Sequence, residues 1–97
     1  MELYAEEAES WEPEFAERRV THGRQNLMAK YQDWQSIIDE VLSSHYSAPL
    51  VSGEFFSVQI RIRAKLTDGG VFDMNEIGVY EVQAGKIVKE QFFYTIT

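Results

Sequence analysis

At 97 residues and 11.3 kDa, with 44% hydrophobic and 26% charged residues, the chain has the make-up of one globular domain spanning 1–97, and of neither a disordered nor a membrane-embedded protein. It contains no cysteine, which removes disulfides, thiolate nucleophiles and cysteine-held zinc or iron–sulfur centres. The net charge of −7 arises mainly in the first half, and the seven acids among residues 1–17, unrelieved by any base, oppose nucleic-acid binding, which needs clustered Lys and Arg.

No apolar run approaches membrane-spanning length, and the N-terminus lacks the basic start and apolar stretch of a signal peptide, so no membrane partner and a cytoplasmic location are expected. In chain order, Glu2 to Glu9 mixes Leu3, Tyr4, Ala5 and Ala8 with glutamates and predicts the end of an acidic helix. Ser10, Trp11 and Glu12 predict a brief edge strand, stopped by Pro13, which restricts the residue before it to extended geometry. From Arg24 to Ile38, Leu27, Met28, Tyr31, Trp34 and Ile38 share one helical face, with Thr21 or Gly23 as the cap and Lys30, Gln32, Asp33 and Gln35 on the wetter side.

Four strands follow. Val41 to Leu50 predicts the first, bounded by Pro49 and the Ser52-Gly53 turn. Phe55 to Leu66 alternates: Phe56, Val58, Ile60, Ile62, Ala64 and Leu66 face one way, and Ser57, Gln59, Arg61, Arg63 and Lys65 the other. Thr67-Asp68-Gly69-Gly70 turns the chain into a strand over Val71–Val82. Setting Ile60 opposite Glu76 puts Ile62 on Met74 and Ala64 on Phe72, with Arg63 on Asp73 across the other face, so both faces agree. Gln83-Ala84-Gly85 turns again into Lys86–Thr97.

The runs Met74-Asn75-Glu76-Ile77-Gly78-Val79-Tyr80-Glu81-Val82 and Gly85-Lys86-Ile87-Val88-Lys89-Glu90-Gln91-Phe92-Phe93-Tyr94 resemble the last hairpin of the SnoaL-like branch of the nuclear-transport-factor-2-like superfamily. Leu3-Tyr4-Ala5-Glu6-Glu7-Ala8, Trp11-Glu12-Pro13 and Gly23-Arg24 are similar to its earlier elements, so the likeness extends over nearly the whole chain. The resemblance implies an α+β, cystatin-like cone: a curved antiparallel four-stranded sheet packed on helices. It also implies a further helix at the mouth of the cone, and this chain begins after the point where that helix would lie.

On this register Glu76, Tyr80, Glu90, Phe92 and Tyr94 gather beside Phe56, Val58 and Ile60 on the concave face, an apolar wall with a few polar groups of the kind that binds small ligands. A carboxyl among apolar side chains resists ionisation, so Glu76 and Glu90 are candidate proton carriers; pairing with a partner or hydration at the rim is the commoner fate of such acids. Glu12 is the third candidate. Ketosteroid isomerases of the same superfamily carry an Asp base just before a proline at the corresponding strand end, which Glu12-Pro13 resembles. Their oxyanion-donating tyrosine lies on the first helix, and their partner acid aligns with Gly78 here, so steroid isomerisation is not expected.

His22 and His45 are far apart and lack a ligand spacing, and no metal or cofactor is expected. Tyr31 and Trp34 are assigned to core packing. On the convex face Ile77, Val79, Ile87 and Phe93 form an uncovered apolar group, read as a homodimer interface. The sequence therefore predicts a domain that binds a small hydrophobic or aromatic molecule, as an isomerase, cyclase or dehydratase working through Glu12, Glu76 or Glu90. The alternative is a non-catalytic dimeric ligand-binding or structural module.

Overall fold

The computed structural model describes residues 2–95, and the end of the predicted last strand, residues 96–97, lies outside them. Seven strands and one helix follow in the order β1 (Tyr4–Trp11), β2 (Val20–His22), α1 (Arg24–Ser36), β3 (Ile38–Tyr46), β4 (Leu50–Ser52), β5 (Phe55–Leu66), β6 (Val71–Gln83) and β7 (Lys86–Phe93). The fold is α+β, as expected, with a sheet wider than the predicted four strands. Its strand order is β2-β1-β7-β6-β5-β3, and β4 pairs separately with β5. None of the described helices is long and apolar enough to cross a membrane.

The largest departure lies at the start, where the glutamate-rich segment is a strand and not a helix end. Composition favoured a helix, but position decides: Ala8 and Ser10 are fully buried and Glu7 is exposed, a period-two pattern in which small side chains fit beneath α1. Nor is Ser10-Trp11-Glu12 an edge. It ends an interior strand, antiparallel to β2 and parallel to β7, with Ser10 opposite Glu90 and Trp11 opposite Gln91. A shift of register between Tyr4 and Glu9 bends this pair, and further shifts interrupt the β3–β5 and β6–β7 ladders, consistent with a curved sheet.

The helix forms where the apolar spacing placed it. Gly23 opens it at φ 91°, a conformation that an L side chain rarely adopts, and its amide donates to the Ala8 carbonyl at 2.8 Å, tying the helix start to β1. The helix ends at Ser36, two residues before Ile38 opens β3. Leu27 is fully buried, which contributes about 2 kcal/mol. Trp34 meets Phe72 of β6 edge-on at 5.1 Å, so α1 lies across one face of the sheet, called here the inner face. The core of Ala8, Leu27, Ile60, Ala64 and Phe92 sits between them. The predicted first long strand starts earlier, at Ile38, and Leu50 belongs to the separate β4.

The β5–β6 register is the predicted one at every pair named above: Ile60–Glu76, Ile62–Met74, Ala64–Phe72 and Arg63–Asp73. On the outer face Ile77 pairs with Phe93 and each is about half exposed, at 49% and 50%. Ile87 does not continue that row. The register shift between Glu81 and Val82 sets it opposite Val82 and breaks the alternation that had grouped it with Val79.

Candidate functional site

Strand alternation delivers the inner-face residues. β6 contributes Glu76, Gly78 and Tyr80; β7 contributes Glu90 opposite Tyr80 and Phe92 opposite Gly78; β5 contributes Phe56 opposite Tyr80, with Val58 and Ile60 following. Phe56 stacks on Tyr80 at 4.8 Å, and Phe92 meets Tyr80 edge-on at 6.2 Å. These rings close over Gly78. A Cβ there would lie 3.0 Å from the Tyr80 ring and 3.2 Å from Phe92, so a side chain at the position aligned with the isomerase partner acid would require these rings to give by a few tenths of an ångström.

Glu90 is fully buried and is met by three hydroxyls: Tyr4 donates to Oε1 at 2.5 Å, and Ser10 and Tyr31 donate to Oε2 at 2.7 and 2.5 Å. Burial, followed by the nearby Glu90 charge, pushes both tyrosine hydroxyls well above their ordinary range, so they stay protonated as donors. Lys30 Nζ donates to Ser10 Oγ at 2.8 Å and lies 3.3 Å from Glu12 Oε1. A continuous polar chain therefore runs from Glu12 through Lys30 and Ser10 to Glu90. Its Lys30–Glu12 link is well shielded, with side chains 15% and 17% exposed.

Glu76 stands differently. Half-buried, its carboxyl makes no hydrogen bond or ion pair with another described residue. Burial, with Glu12 and Glu90 adding repulsion and Lys30 opposing them, pushes its pKa up to about 7. The same burial raises Glu12, against the pull of Lys30, and Glu12 Oε2 is a buried acceptor with no partner among the described residues. Glu12 and Glu76 thus share one ammonium.

Tyr94 lies just beyond β7, held edge-on to Phe15 at 5.6 Å, and its hydroxyl is raised by burial and then by Glu12 and Glu76. It borders an open depression of about 530 Å³ that wraps the end of β7, between Pro13, Glu76 and Phe92 on one side and Gln59, Asn75, Ile77 and Phe93 of the outer face on the other. The inner-face aromatic wall does not line it, apart from Phe92. The structure therefore brings Glu12, Glu76 and Glu90 into one interacting group and Phe56, Tyr80 and Phe92 into one wall. Ile60 lies beside Glu76, and Tyr94 stands at the open end.

Lys30, Ser10, Tyr4 and Tyr31 were missed as site residues. Lys30 had a signal: three residues after Leu27 and four before Trp34, it lies on the apolar stripe and not on the wetter side. His22 and His45 are both exposed, and among the described residues no group of His, Cys, Asp and Glu is arranged to hold a metal.

A sheet with one helix across its inner face, and with carboxyls and aromatic rings gathered under that helix, defines the cone-shaped α+β class. The chain belongs to the SnoaL-like domain family, which matches residues 1–94. It is similar to a protein from Mesorhizobium loti described as a SnoaL-like polyketide cyclase and, in brackets, a carbohydrate phosphatase: 33% identity, TM-score 0.86, covering 96% of this chain and 80% of that one. A protein from Catenulispora acidiphila with a ketosteroid-isomerase-like fold, in complex with trimethylamine, shares the fold at 11% identity and TM-score 0.82, covering 98% and 72%. A protein from Bacillus subtilis described as an isomerase does so at 21% and 0.78, covering 97% and 70%. No curated protein matches the chain.

Proposed function

We propose that the chain is a small-molecule enzyme of isomerase, cyclase or dehydratase type in which Glu76 moves the proton. The observation that supports this most is a half-buried carboxyl with no donor among the described residues, pushed to about 7, beside an aromatic wall. At neutral pH such a group is populated in both forms, as an acid–base catalyst requires. It takes a proton from a carbon next to a carbonyl and returns one to another atom of the same molecule, so no co-reactant is consumed. Glu12 supplies the repulsion that helps hold Glu76 protonated, and Lys30 is placed to steady negative charge as it develops. Glu90, saturated by three hydroxyls, fixes the frame and not the chemistry. The ligand is a small, largely apolar or aromatic carbonyl compound resting against Phe56, Tyr80, Phe92 and Tyr94.

Deuterium uptake at the acidic carbons of a panel of cyclic and aromatic ketones, followed by proton NMR, tests the reading. Uptake above the buffer rate, lost in Glu76→Gln, is the expected result. A ketone that binds but exchanges no faster than in buffer would make the domain a non-catalytic binder. That second reading draws support from the exposed outer-face pair Ile77 and Phe93, which suits a homodimer.

A further inference from the structure

Three tyrosine hydroxyls come near Glu90 on the inner face, and the fold engages only two of them. Tyr4 and Tyr31 donate to the Glu90 carboxylate at 2.5 Å each. Tyr80 stands opposite Glu90 across the β6–β7 ladder, yet Glu90 takes its hydrogen bonds from Tyr4, Ser10 and Tyr31. The Tyr80 hydroxyl makes no hydrogen bond with another described residue, and packing sets its direction instead. Its ring is stacked on Phe56 at 4.8 Å and met edge-on by Phe92 at 6.2 Å, and its hydroxyl oxygen lies 3.1 Å from where a Cβ of Gly78 would stand. Tyr80 is half-buried, and the α1 backbone approaches β1, β2 and β3 but not β6, so no helix backbone lies against Gly78 and Tyr80.

Glu76, Gly78 and Tyr80 alternate along the inner face of β6. Alternate positions of a strand lie roughly 7 Å apart. Because Tyr80 leans over Gly78, and so toward Glu76, its hydroxyl comes back to within about one such step of that carboxyl. The absent Cβ of Gly78 leaves it that path. A hydroxyl and a carboxyl, neither of them hydrogen-bonded to a described residue, then flank one short stretch of strand. The gap suits a carbonyl group and the carbon next to it, with a hydrogen bond at the oxygen and a carboxylate at the carbon. Lys30 is already engaged: its ammonium lies over the Phe92 ring at 5.6 Å, donates to Ser10 Oγ at 2.8 Å and pairs with Glu12.

We infer that the Tyr80 hydroxyl is the donor that binds the carbonyl oxygen of an aromatic ketone whose neighbouring carbon faces Glu76, and that Gly78 gives the hydroxyl its place. The catalytic part of this inference rests on the reading of Glu76 as the proton carrier; the hydrogen bond does not. As the Glu76 carboxylate takes a proton from the carbon, the C–H pair forms a carbon–carbon double bond and the carbonyl pair moves onto oxygen. Tyr80 keeps its own proton and tightens its hydrogen bond to the enolate oxygen, so the new charge is met by a donor already in place. Glu76 then returns the proton to the same molecule. Burial, followed by the charges of Glu90 and Glu76, holds the Tyr80 hydroxyl above its ordinary range, which keeps it a donor at neutral pH.

Acetophenone labelled with carbon-13 at its carbonyl tests the donor by NMR. That resonance moves downfield when the oxygen accepts a hydrogen bond and upfield in apolar surroundings. Bound to the unaltered protein it is expected at or downfield of its position in water. Bound to Tyr80→Phe, which keeps the stacked ring and loses one oxygen, it is expected upfield of that position. In deuterium exchange of the acetophenone methyl group, Tyr80→Phe should lower kcat roughly a hundredfold, as the loss of one oxyanion donor does, with KM changed less than about threefold. A bound resonance upfield of water in the unaltered protein, one unmoved by Tyr80→Phe, or no saturable binding at millimolar acetophenone would overturn the inference. If Tyr80→Phe fails to fold, the resonance in the unaltered protein decides. A resonance that depends on Tyr80 without any exchange would sink the proton-transfer reading and leave the hydrogen bond standing. Exchange lost in Glu76→Gln but undiminished in Tyr80→Phe would sink this inference alone.

Discussion

Glu90 and Glu76 sit on neighbouring strands and on the same face, yet the fold treats them in opposite ways. Glu90 is fully buried and has three hydroxyl donors; Glu76 is less buried and has none from the described residues. Burial alone does not make a carboxyl reactive. The lack of internal donors does, because each hydrogen bond to the charged form repays desolvation. On the proposed reading Glu90 is thereby committed to architecture, and Glu76 keeps its hydrogen-bonding capacity for a ligand.

The largest test of that contrast is Glu90→Ala. It leaves Tyr4, Ser10 and Tyr31 facing a buried void and is expected to cost ~3–5 kcal/mol in urea unfolding. A loss below about 1 kcal/mol would show that Glu90 does not carry the frame. Lys30→Met removes the ammonium that Glu12 and Glu76 share. A stability loss of about 2–3 kcal/mol is expected, and carbon-detected NMR should show both carboxyls titrating at higher pH than in the unaltered protein.

Glu76→Gln should act through pH. The folded pKa of Glu76 is raised from 4.5 to about 7, so its stabilising contribution is complete below pH 4.5 and is lost as pH rises through about 7. At about 1.4 kcal/mol per pKa unit the full shift is worth about 3 kcal/mol; solvent screening of the half-buried carboxyl reduces the loss expected relative to Glu76→Gln between those limits to roughly 1–2 kcal/mol, and parallel stability curves would refute the raised value. The smallest effect on folding is expected at the outer face. Ile77→Lys should change unfolding stability by no more than about 0.5 kcal/mol while shifting a sedimenting dimer to monomer; an unaltered species would remove the proposed interface.

The two carboxyls also differ in how readable they were. Glu76 was placed on the correct face from sequence because β5 and β6 carry long, clean alternation, and a one-residue slip would have buried Arg63 and Asp73. The saturation of Glu90 was not readable. Its donors lie 59 to 86 residues away, and two of them belong to β1, where Tyr4 fell in a glutamate-rich segment read as a helix end and Ser10 in a brief edge strand. Propensity is a weak prior that tertiary burial overrode, through two small side chains at Ala8 and Ser10. The outer row was read correctly at Ile77 and Phe93 and wrongly at Ile87, since a bulge leaves no mark in a hydrophobic pattern.

The parallel pairing of β1 with β7 sets an order of assembly. β7 stands between β1 and β6, so the first third of the chain, with β1, β2 and α1, joins β3 to β6 in the sheet only through the last strand. During synthesis the residues that will surround Glu76 must wait: Glu12 and Lys30 emerge early, and their place beside it is fixed once β7 arrives carrying Glu90. Contacts across so much sequence close slowly. A ribosome-bound chain stopped before Lys86 should thus present two parts not yet joined within the sheet, exposed to misassembly, and the carboxyl cluster would be among the last features of the molecule to come into being.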